Sequence, residues 1–539
     1  MKTETKIEKS IQNAVNDCLA GLDHLPSQEE EILQKARERK IMQTAYPTLK
    51  ARTAGRTQRN TAETGRPFPL RAALAAFTVL ALLAGALAVT RRLNSVDNVS
   101  VTATQPLTLP EETPDSALAG NTGAGRETET VPLDRVELTV EPDLLWNEET
   151  GILAEGPDID KTTRPYRNAV YQKWSKKTVE GKMAYISGAT GETVTSCNIG
   201  LSIDDTDIFG MDLPQKGLRI HGEINAKLFD NRPYDSWFLI SLSNAEQDGL
   251  LTRLADVVQS RLVEKYSGLR ILTLDWKPVT VYLNGEYWGQ YNMRELPDPE
   301  TVCRFEGVNP DTVDGVYFAE GLNDGSITAL SRELKKLDPV NNAADREYLE
   351  QNVDVDSFLN WLAIEMYFGN SDAVSSFTAY RIPGQPWKCV LNELEYGLFL
   401  SSFNASESFL KEEGFGAQKA DNTIFRKILE IDEYRHVFLR KLGQLYQKLT
   451  TEVMQAELEL CTAMIEPEME RHFERWALYH ETVLNPEIPK SVKKAMEYWR
   501  KRIERMRDGT MKKRPWYVYT QAQEFFSLSN AEMKQYFGE

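Results

Sequence analysis

The stretch Val279-Thr-Val-Tyr-Leu-Asn-Gly-Glu-Tyr-Trp-Gly-Gln-Tyr-Asn-Met293 carries the strongest local folding signal of the sequence. Its central dipeptide, Asn284-Gly285, provides the two residue types that most readily adopt a positive φ, which a type I′ turn requires at both central positions. β-Branched and aromatic residues, which favour extended strands, lie on both sides of that dipeptide. The stretch therefore predicts an antiparallel hairpin.

Outward from the hairpin, the two sides of the chain have different periodicities. On the N-terminal side, Val136-Glu-Leu-Thr-Val140 alternates apolar and polar residues as a strand does, and further strands are predicted near 183–186, 192–203, 217–224 and 236–242. On the C-terminal side, apolar residues recur at helical spacing, almost without interruption after Ser406. Strands first and helices last predict an α+β domain, with a core over 136–400 and a helical part over 401–539.

Composition limits the class of protein. The chain has 539 residues, of which 41% are hydrophobic and 27% charged, which excludes a polytopic transporter and a wholly disordered chain. Its net charge of −17 disfavours nucleic acid as a partner, because phosphates require a basic surface. Five cysteines without a CxxC pair predict neither a disulfide scaffold nor a zinc site. Cys197, Cys303, Cys389 and Cys461 are interpreted as core thiols or occasional disulfides.

Residues 72–90 form a run of 19 residues without any charge. A helix of that length spans a hydrocarbon core of roughly 30 Å, so we expect one transmembrane helix within 68–92 and contact with the membrane through 72–90. A buried core helix and a cleavable signal peptide are the alternatives. The first rarely lacks polar residues over such a length, and the second lies closer to the N-terminus than a run preceded by 71 residues.

Flanking charges predict the orientation of that helix. Six basic residues lie between positions 50 and 71, whereas Arg91 and Arg92 follow the run. The positive-inside rule then places residues 1–67, a helical and basic segment, in the cytosol and the large C-terminal domain outside a single-pass cell membrane protein. Residues 93–135, which are rich in Thr, Pro, Gly and Glu, are predicted to be a disordered tether.

The hairpin and several shorter motifs resemble the CotH kinase family, the spore-coat-type protein kinases of bacteria. Residues 281–295 (VYLNGEYWGQYNMRE) are similar to the family's hairpin. Elements similar to its other motifs follow the family's order at 145–152, 217–222, 353–359, 369–372, 470–476 and 514–515, so that the resemblance covers roughly 138–539. It implies an atypical kinase-like fold that transfers the γ-phosphoryl group of ATP to Ser or Thr of a protein, with a divalent metal (Mg, Mn or Ca) as cofactor.

The resemblance implies roles for Asn370 and Asp372, which match the family's "gN-x-D" element. Asp372 would be the catalytic base that orients the substrate hydroxyl, and Asn370 would contribute to cofactor binding. An aspartate that caps a turn is the alternative interpretation of Asp372. The family has a further Asn a few residues later, which is missing from Ala373-Val-Ser-Ser-Phe377.

The family's metal-binding D-x-D element corresponds to Glu393-Leu-Glu395 in this chain. In an extended strand, two residues at this spacing point to the same side, so Glu393 and Glu395 are the expected metal ligands. Each carboxylate is one methylene further from the backbone than an aspartate, which should loosen the tight geometry that Mg²⁺ requires. A pair of solvated glutamates on an edge strand is the alternative.

The phosphate-binding lysines of the family are replaced here. In Arg232-Pro-Tyr-Asp-Ser236, Tyr234 and Asp235 stand where the family has lysines. Lys227 or Arg232 is the candidate substitute for binding ATP phosphates. Glu295 matches a family glutamate, so the resemblance implies that it takes part in cofactor binding. Because its lysine partner is missing here, a purely structural role is the alternative.

Two functions therefore remain open. The first is ATP- and metal-dependent phosphorylation of a protein substrate, and the second is a catalytically impaired pseudokinase that binds or scaffolds a partner at the cell envelope. The departures fall at catalytic elements, whereas the hairpin and other scaffold motifs are intact. A weaker third hypothesis is an adhesin that binds glycans or proteins.

Overall fold

The computed structural model describes residues 131–538 except for 164, 205–209, 224–225, 230–231, 235–236, 244–251, 413, 415–418 and 477–490. All of them belong to one unit, Glu129–Glu539. The predicted cytosolic segment, the predicted transmembrane helix and nearly all of the predicted tether lie outside the described residues. Within those residues, no helix has the length and apolar character needed to cross a membrane.

The N-terminal part is a closed seven-stranded barrel. Its strands, in spatial order, are β1 (Asp134–Val140), β2 (Val179–Ile186), β3 (Thr193–Ile203), β4 (Leu218–Glu223), β7 (Trp237–Ser243), β10 (Glu286–Glu295) and β9 (Trp276–Leu283). Parallel pairing of β1 with β9 closes the barrel, and the other pairs are antiparallel. The four strands predicted on the N-terminal side of the hairpin are all present, as is Val136–Val140 within β1.

The predicted hairpin is confirmed as β9 and β10. Asn284 and Gly285 have φ values of 51° and 83°, as a type I′ turn requires. The Asn284 side chain also accepts a hydrogen bond of 2.8 Å from the Val140 amide, which joins the turn to the end of β1. A bulge interrupts the pairing between Tyr287 and Gly289. A Cβ on Gly289 would lie 2.7 Å from the Trp476 indole nitrogen, so glycine is required there.

The chain contains two smaller sheets. Strands β5 (Ala226–Phe229) and β6 (Arg232–Tyr234) pair with each other. Strands β11 (Tyr317–Glu320), β12 (Thr378–Arg381), β13 (Lys388–Leu391) and β8 (Leu272–Thr273) form a four-stranded sheet in that order.

Helices make up most of the C-terminal part, as predicted. The described helices, in chain order, are α1 (Pro142–Trp146), α2 (Val170–Lys173), α3 (Ala255–Leu262), α4 (Pro299–Glu306), α5 (Gly325–Leu334), α6 (Ala343–Asn352), α7 (Val355–Phe368), α8 (Ala373–Ser376), α9 (Ala405–Leu410), α10 (Thr423–Glu430), α11 (Asp432–Lys448), α12 (Thr451–Trp476), α13 (Val492–Glu504), α14 (Lys512–Phe525) and α15 (Asn530–Phe537). Short π-helical stretches follow α3, at Val263–Ser267, and α13, at Arg505–Met511.

Helix α7 lies at the centre of the helical part. From Ser357 to Phe368 every residue is buried, and residues of α7 pack with α11, α9, α14 and strand β13. A separate apolar cluster fills the barrel, with Val136, Ile220, Ile240 and Val281 all at 0% exposure. The mixed α and β content agrees with the sequence prediction. The four described cysteines are free thiols, three of them buried.

Candidate functional site

The candidate site lies where the C-terminal end of α7 meets the segment that follows β13. Helix α7 ends at Phe368 and is followed by Gly369, which has a left-handed φ of 66° and whose amide donates a hydrogen bond to the Glu365 carbonyl. Glycine accepts this conformation without steric cost, and it is the usual residue after a helix. The turn directs the chain into Asn370, Ser371 and Asp372, the segment in which the sequence predicts the catalytic group.

Asn370 joins the two halves of the site. It is fully buried, and its amide nitrogen donates a hydrogen bond of 3.2 Å to the Glu393 carbonyl. Its Oδ1 accepts a hydrogen bond of 3.1 Å from the Asp372 amide. One side chain therefore fixes the backbone at Asp372 relative to the backbone at Glu393, which brings the predicted base close to a predicted metal ligand.

Asp372 is half-buried and precedes α8. It occupies the N-cap position of that helix, yet its carboxylate makes no capping hydrogen bond there. Burial raises the pKa of the neighbouring Glu365 carboxyl, and the negative charge of Asp372 adds to this rise.

The predicted extended geometry of Glu393 and Glu395 is wrong. Strand β13 ends at Leu391, and Glu393 adopts a left-handed φ of 54°. The chain leaves the sheet here because its backbone is held from outside: the Leu394 amide donates to Asp256, and the Glu393 carbonyl accepts from Asn370. The two glutamates therefore lie in a loop, where strand alternation does not direct their side chains to the same side.

Both loop glutamates are half-buried, and the pKa of the Glu395 carboxyl is strongly perturbed. Burial is the largest cause that raises its pKa well above the usual range, and the negative charges of Asp256 and Glu393 add to this effect. Arg294 opposes the rise. Glu395 therefore lies among several carboxylates, which increases its tendency to hold a proton or a cation.

Glu365 on α7 is a member of this carboxylate group that the sequence interpretation missed. It is fully buried, and neither carboxylate oxygen accepts a hydrogen bond within the part of the chain that the structure describes. Burial raises its pKa well above the usual range, and Asp256 and Asp372 contribute further, whereas the nearby Asn370 amide opposes the rise. A usable signal exists: Glu365 is the one acidic residue in the apolar run Phe358-Leu-Asn-Trp-Leu-Ala-Ile-Glu-Met-Tyr-Phe368.

Asp256 and Arg294 complete the group, and neither was predicted. Asp256 lies in the first turn of α3, where it forms an ion pair with Arg294 of β10. Its other oxygen accepts the Leu394 amide at 3.1 Å. The pair thus connects the barrel strand, α3 and the loop of the two glutamates. Arg294 lies within the hairpin motif at 281–295, but no local pattern predicts that it pairs with Asp256.

Glu295, a predicted cofactor-binding residue, has different partners. Its carboxylate pairs with Arg304 of α4 and accepts a hydrogen bond of 3.0 Å from the Thr301 hydroxyl. Adjacent residues of a strand point to opposite sides, so Arg294 reaches the carboxylate group while Glu295 contacts α4. Glu295 thus contacts α4, and its role in cofactor binding stays a prediction.

Lys227 and Arg232 lie on the two-stranded sheet, where Lys227 pairs with Pro233 and Arg232 pairs with Phe229. Their side chains are outside what the structure describes, so their role in phosphate binding stays a prediction. Tyr234, at the position of a family lysine, is on the same sheet opposite Ala226.

A buried arginine forms hydrogen bonds with the backbone next to the site. Arg514 of α14 is fully buried and donates hydrogen bonds to the carbonyls of Met366 and Tyr367 at the end of α7, at 2.6 and 2.7 Å. It also donates to the carbonyls of Ser401 and Phe403, beyond the glutamate loop. Its guanidinium lies so close to Gly369 that a Cβ there would be 2.8 Å from it. Arg514 thus holds together the two segments that carry Asn370, Asp372, Glu393 and Glu395.

The chemistry of the donor set suits a hard divalent cation. Glu393 and Glu395 provide two carboxylates from one loop. Neither oxygen of Glu365 nor Oδ1 of Asn392 has a hydrogen-bond partner among the residues that the structure describes. Oxygen atoms of these kinds are the ligands that hard divalent ions prefer. Among the described residues, no three His, Cys, Asp or Glu side chains are arranged to hold a metal ion by themselves. Mg²⁺ at nucleotide sites needs only one or two protein carboxylates, because substrate phosphates and water supply the other ligands.

Comparison with known proteins identifies the family. The family model described as "CotH kinase protein" matches residues 210–518, which is more than half of the chain. No curated protein matches the chain. The protein belongs to the CotH kinase family. The match includes the hairpin and every residue of the candidate site, whereas β1, β2 and β3 of the barrel precede it.

Proposed function

We propose that this protein is a membrane-anchored, ATP- and metal-dependent kinase that phosphorylates Ser or Thr of a protein at the cell envelope. The bridge made by Asn370 between the Asp372 amide and the Glu393 carbonyl is the observation that carries the proposal. It supports a site in which the base and the metal ligands have a fixed relative position. Anchoring through residues 72–90 is part of the proposal.

In the proposed reaction, Asp372 orients the substrate hydroxyl and accepts its proton as the oxygen bonds to the γ-phosphorus of ATP. The bond between that phosphorus and the β–γ bridging oxygen breaks, and ADP leaves. Glu393 and Glu395 would hold a divalent metal, which neutralises phosphate charge. Positioning and charge stabilisation provide most of the rate enhancement in such reactions.

The test is transfer of label from γ-labelled ATP to the protein itself and to dephosphorylated casein, in the presence of Mg²⁺, Mn²⁺ or Ca²⁺. Asp372→Asn should lower the rate by about 10²- to 10⁴-fold, which is the usual contribution of a general base. Asp314→Asn, a matched change at an exposed aspartate, should leave the rate unchanged. Absence of transfer with every metal would contradict the proposal.

A pseudokinase is the second candidate, and one observation favours it. Arg294, the cation beside the carboxylates, is already paired with Asp256, and tyrosine occupies the position of a family lysine at Tyr234. Such a site would have less positive charge for ATP phosphates. If labelled ATP binds without transfer, or does not bind, the pseudokinase acting as an envelope binding module replaces the kinase.

A further inference from the structure

The helical run from Val492 to Phe525 presents one buried and one exposed face. It consists of α13, the π-helical stretch Arg505–Met511 and α14, which follow one another without a break. The buried face contains mainly apolar residues, among them Trp499, Ile503, Met506 and Val518. This face fixes the orientation of the run against the helical core, so the opposite face is directed to solvent.

The solvent face is strongly basic. Between residues 492 and 516, leaving out the fully buried Arg514, the sequence contains nine Lys and Arg against three Asp and Glu, a net charge of +6 in a chain whose total is −17. Five of the cations are exposed lysines: Lys493, Lys494, Lys501, Lys512 and Lys513. We call this set, together with Trp516, the basic face.

These five lysines differ from the nearby arginines in their contacts. Arg500 pairs with Glu466 at 2.8 Å, and Arg507 pairs with Asp508 at 2.7 Å. None of the five lysines forms an ion pair with any residue that the structure describes. Their charge is therefore available to an external partner, whereas that of Arg500 and Arg507 is partly neutralised.

Trp516 adds an apolar group to the basic face. It is 52% exposed, and its ring contacts Tyr517 edge-on with centroids 4.8 Å apart. It lies three and four residues after Lys513 and Lys512, a spacing that places helical residues on neighbouring positions of one surface. An exposed tryptophan next to lysines is typical of the interface between a bilayer and water, where the ring enters the headgroup region and the lysines contact anionic lipid.

We propose that the basic face docks on the surface of a bilayer that contains anionic lipid. Lysine is a hydrated point charge that suits diffuse attraction to headgroups, whereas nucleic acid recognition favours arginine forks and several stacking aromatic residues. The predicted membrane helix at 72–90 would keep the domain close to such a surface. Docking would then orient the kinase-like domain on the membrane, independently of whether that domain transfers phosphate.

The test is co-sedimentation of residues 129–539 with vesicles. This piece lacks the predicted membrane helix. It forms one compact unit and contains every residue of the hydrophobic cores that the structure describes, so we expect it to fold by itself. It should bind vesicles with 30% phosphatidylglycerol in phosphatidylcholine and should not bind phosphatidylcholine alone. Binding should disappear at high salt, because screening shortens the range of the attraction.

Variants locate the contact. The double variant Lys512→Gln with Lys513→Gln should weaken binding about 25-fold, which is the combined contribution of two lysines close to an anionic surface. Trp516→Ser should weaken it several-fold. The matched control, Lys335→Gln with Lys336→Gln, removes two exposed lysines of a different helical region and should have little effect. Lys493→Gln with Lys494→Gln is a second test at the other end of the face.

Three results would overturn the proposal. The first is equal binding to neutral and anionic vesicles, and the second is unchanged binding of both lysine variants once their melting temperatures confirm that they fold. The third is an unaffected Trp516→Ser variant combined with displacement from vesicles by a short DNA duplex, which would make the basic face a nucleic acid interface.

Discussion

Two buried glutamates of the helical part have opposite environments. Glu457 of α12 is fully buried and accepts hydrogen bonds from Arg261 at 2.5 Å, Lys265 at 3.0 Å and Tyr266 at 3.2 Å. Glu365 of α7 is equally buried, and neither of its oxygens has a partner among the described residues. The first belongs to a scaffold contact between α12 and the end of α3, and the second faces the candidate site.

The pKa values of the two carboxyls follow this difference. Burial alone would raise both, but Lys265 and Arg261 lower the pKa of Glu457 below its usual range. The pKa of Glu365 rises well above its usual range, because burial and the charges of Asp256 and Asp372 act together. Compensation by cations offsets the cost of burying a charge, so that removal of one partner of such a group is destabilising. Buried carboxyls with strongly raised pKa values are frequent at functional sites.

The largest effect on stability is expected for Arg514, which is a buried cation. Its guanidinium donates hydrogen bonds to four backbone carbonyls of the described residues. Arg514→Met removes donors from four carbonyls, and each buried acceptor left without one costs about 1–3 kcal/mol. The free energy of unfolding should fall by about 4 kcal/mol or more, measured by urea denaturation. Arg507→Met, at an ion pair that is partly exposed to solvent, should change it by less than about 0.5 kcal/mol. Similar losses in the two variants would show that Arg514 does not hold the site together.

A smaller loss is expected for Glu457→Gln. Its cationic partners are partly exposed and can regain water, so the free energy of unfolding should fall by about 2 kcal/mol near neutral pH. Because the folded-state pKa is lowered, this stabilisation is present above the unfolded pKa near 4.5 and is lost as the pH falls through the folded value. Urea denaturation at pH 7 and at pH 3 should show the difference between wild type and variant shrinking with acid. A difference that does not depend on pH would contradict the account of Glu457.

Glu365→Gln should raise the free energy of unfolding at high pH, whereas Glu457→Gln should lower it. A raised folded-state pKa means that wild-type stability decreases as the pH rises above the unfolded value near 4.5. Glutamine imitates the protonated acid, so the variant should match wild type at pH 4.5 and exceed it at pH 8, by on the order of 1 kcal/mol. Thermal denaturation at the two pH values measures this. A variant less stable than wild type at pH 8 would mean that Glu365 has a partner that compensates its charge.

Sequence reasoning succeeded where the signal is local and failed where it depends on distant contacts. The Asn284-Gly285 turn was predictable because the two residues themselves have the required backbone preference. The course of the chain at Glu393 was not predictable, because it depends on two residues that are far away in sequence. Asn370 donates a hydrogen bond to the Glu393 carbonyl, and the Leu394 amide donates one to Asp256. The ion pair of Asp256 and Arg294 was missed for the same reason.

The family resemblance located residues whose positions no local rule provides. It indicated Asn370, Asp372, Glu393 and Glu395, and the fold brings the segments that carry them together through one asparagine side chain. It also directed attention to Glu295, which the structure instead places in a contact with α4. Motif matching identifies the position of a residue in the chain, but the partners of that residue depend on tertiary packing.

The most direct test of the central claim, that this carboxylate group is a nucleotide and metal site, is the melting temperature of residues 129–539 with ATP, with and without Mg²⁺, Mn²⁺ or Ca²⁺. A ligand that binds only the native state stabilises it by about 2.7 kcal/mol at a hundred times its Kd. We predict a metal-dependent rise with ATP that is lost in Glu395→Gln and kept in Glu333→Gln, a matched change at an exposed glutamate. No rise with any of the three metals, or the same rise in Glu395→Gln, would contradict the account.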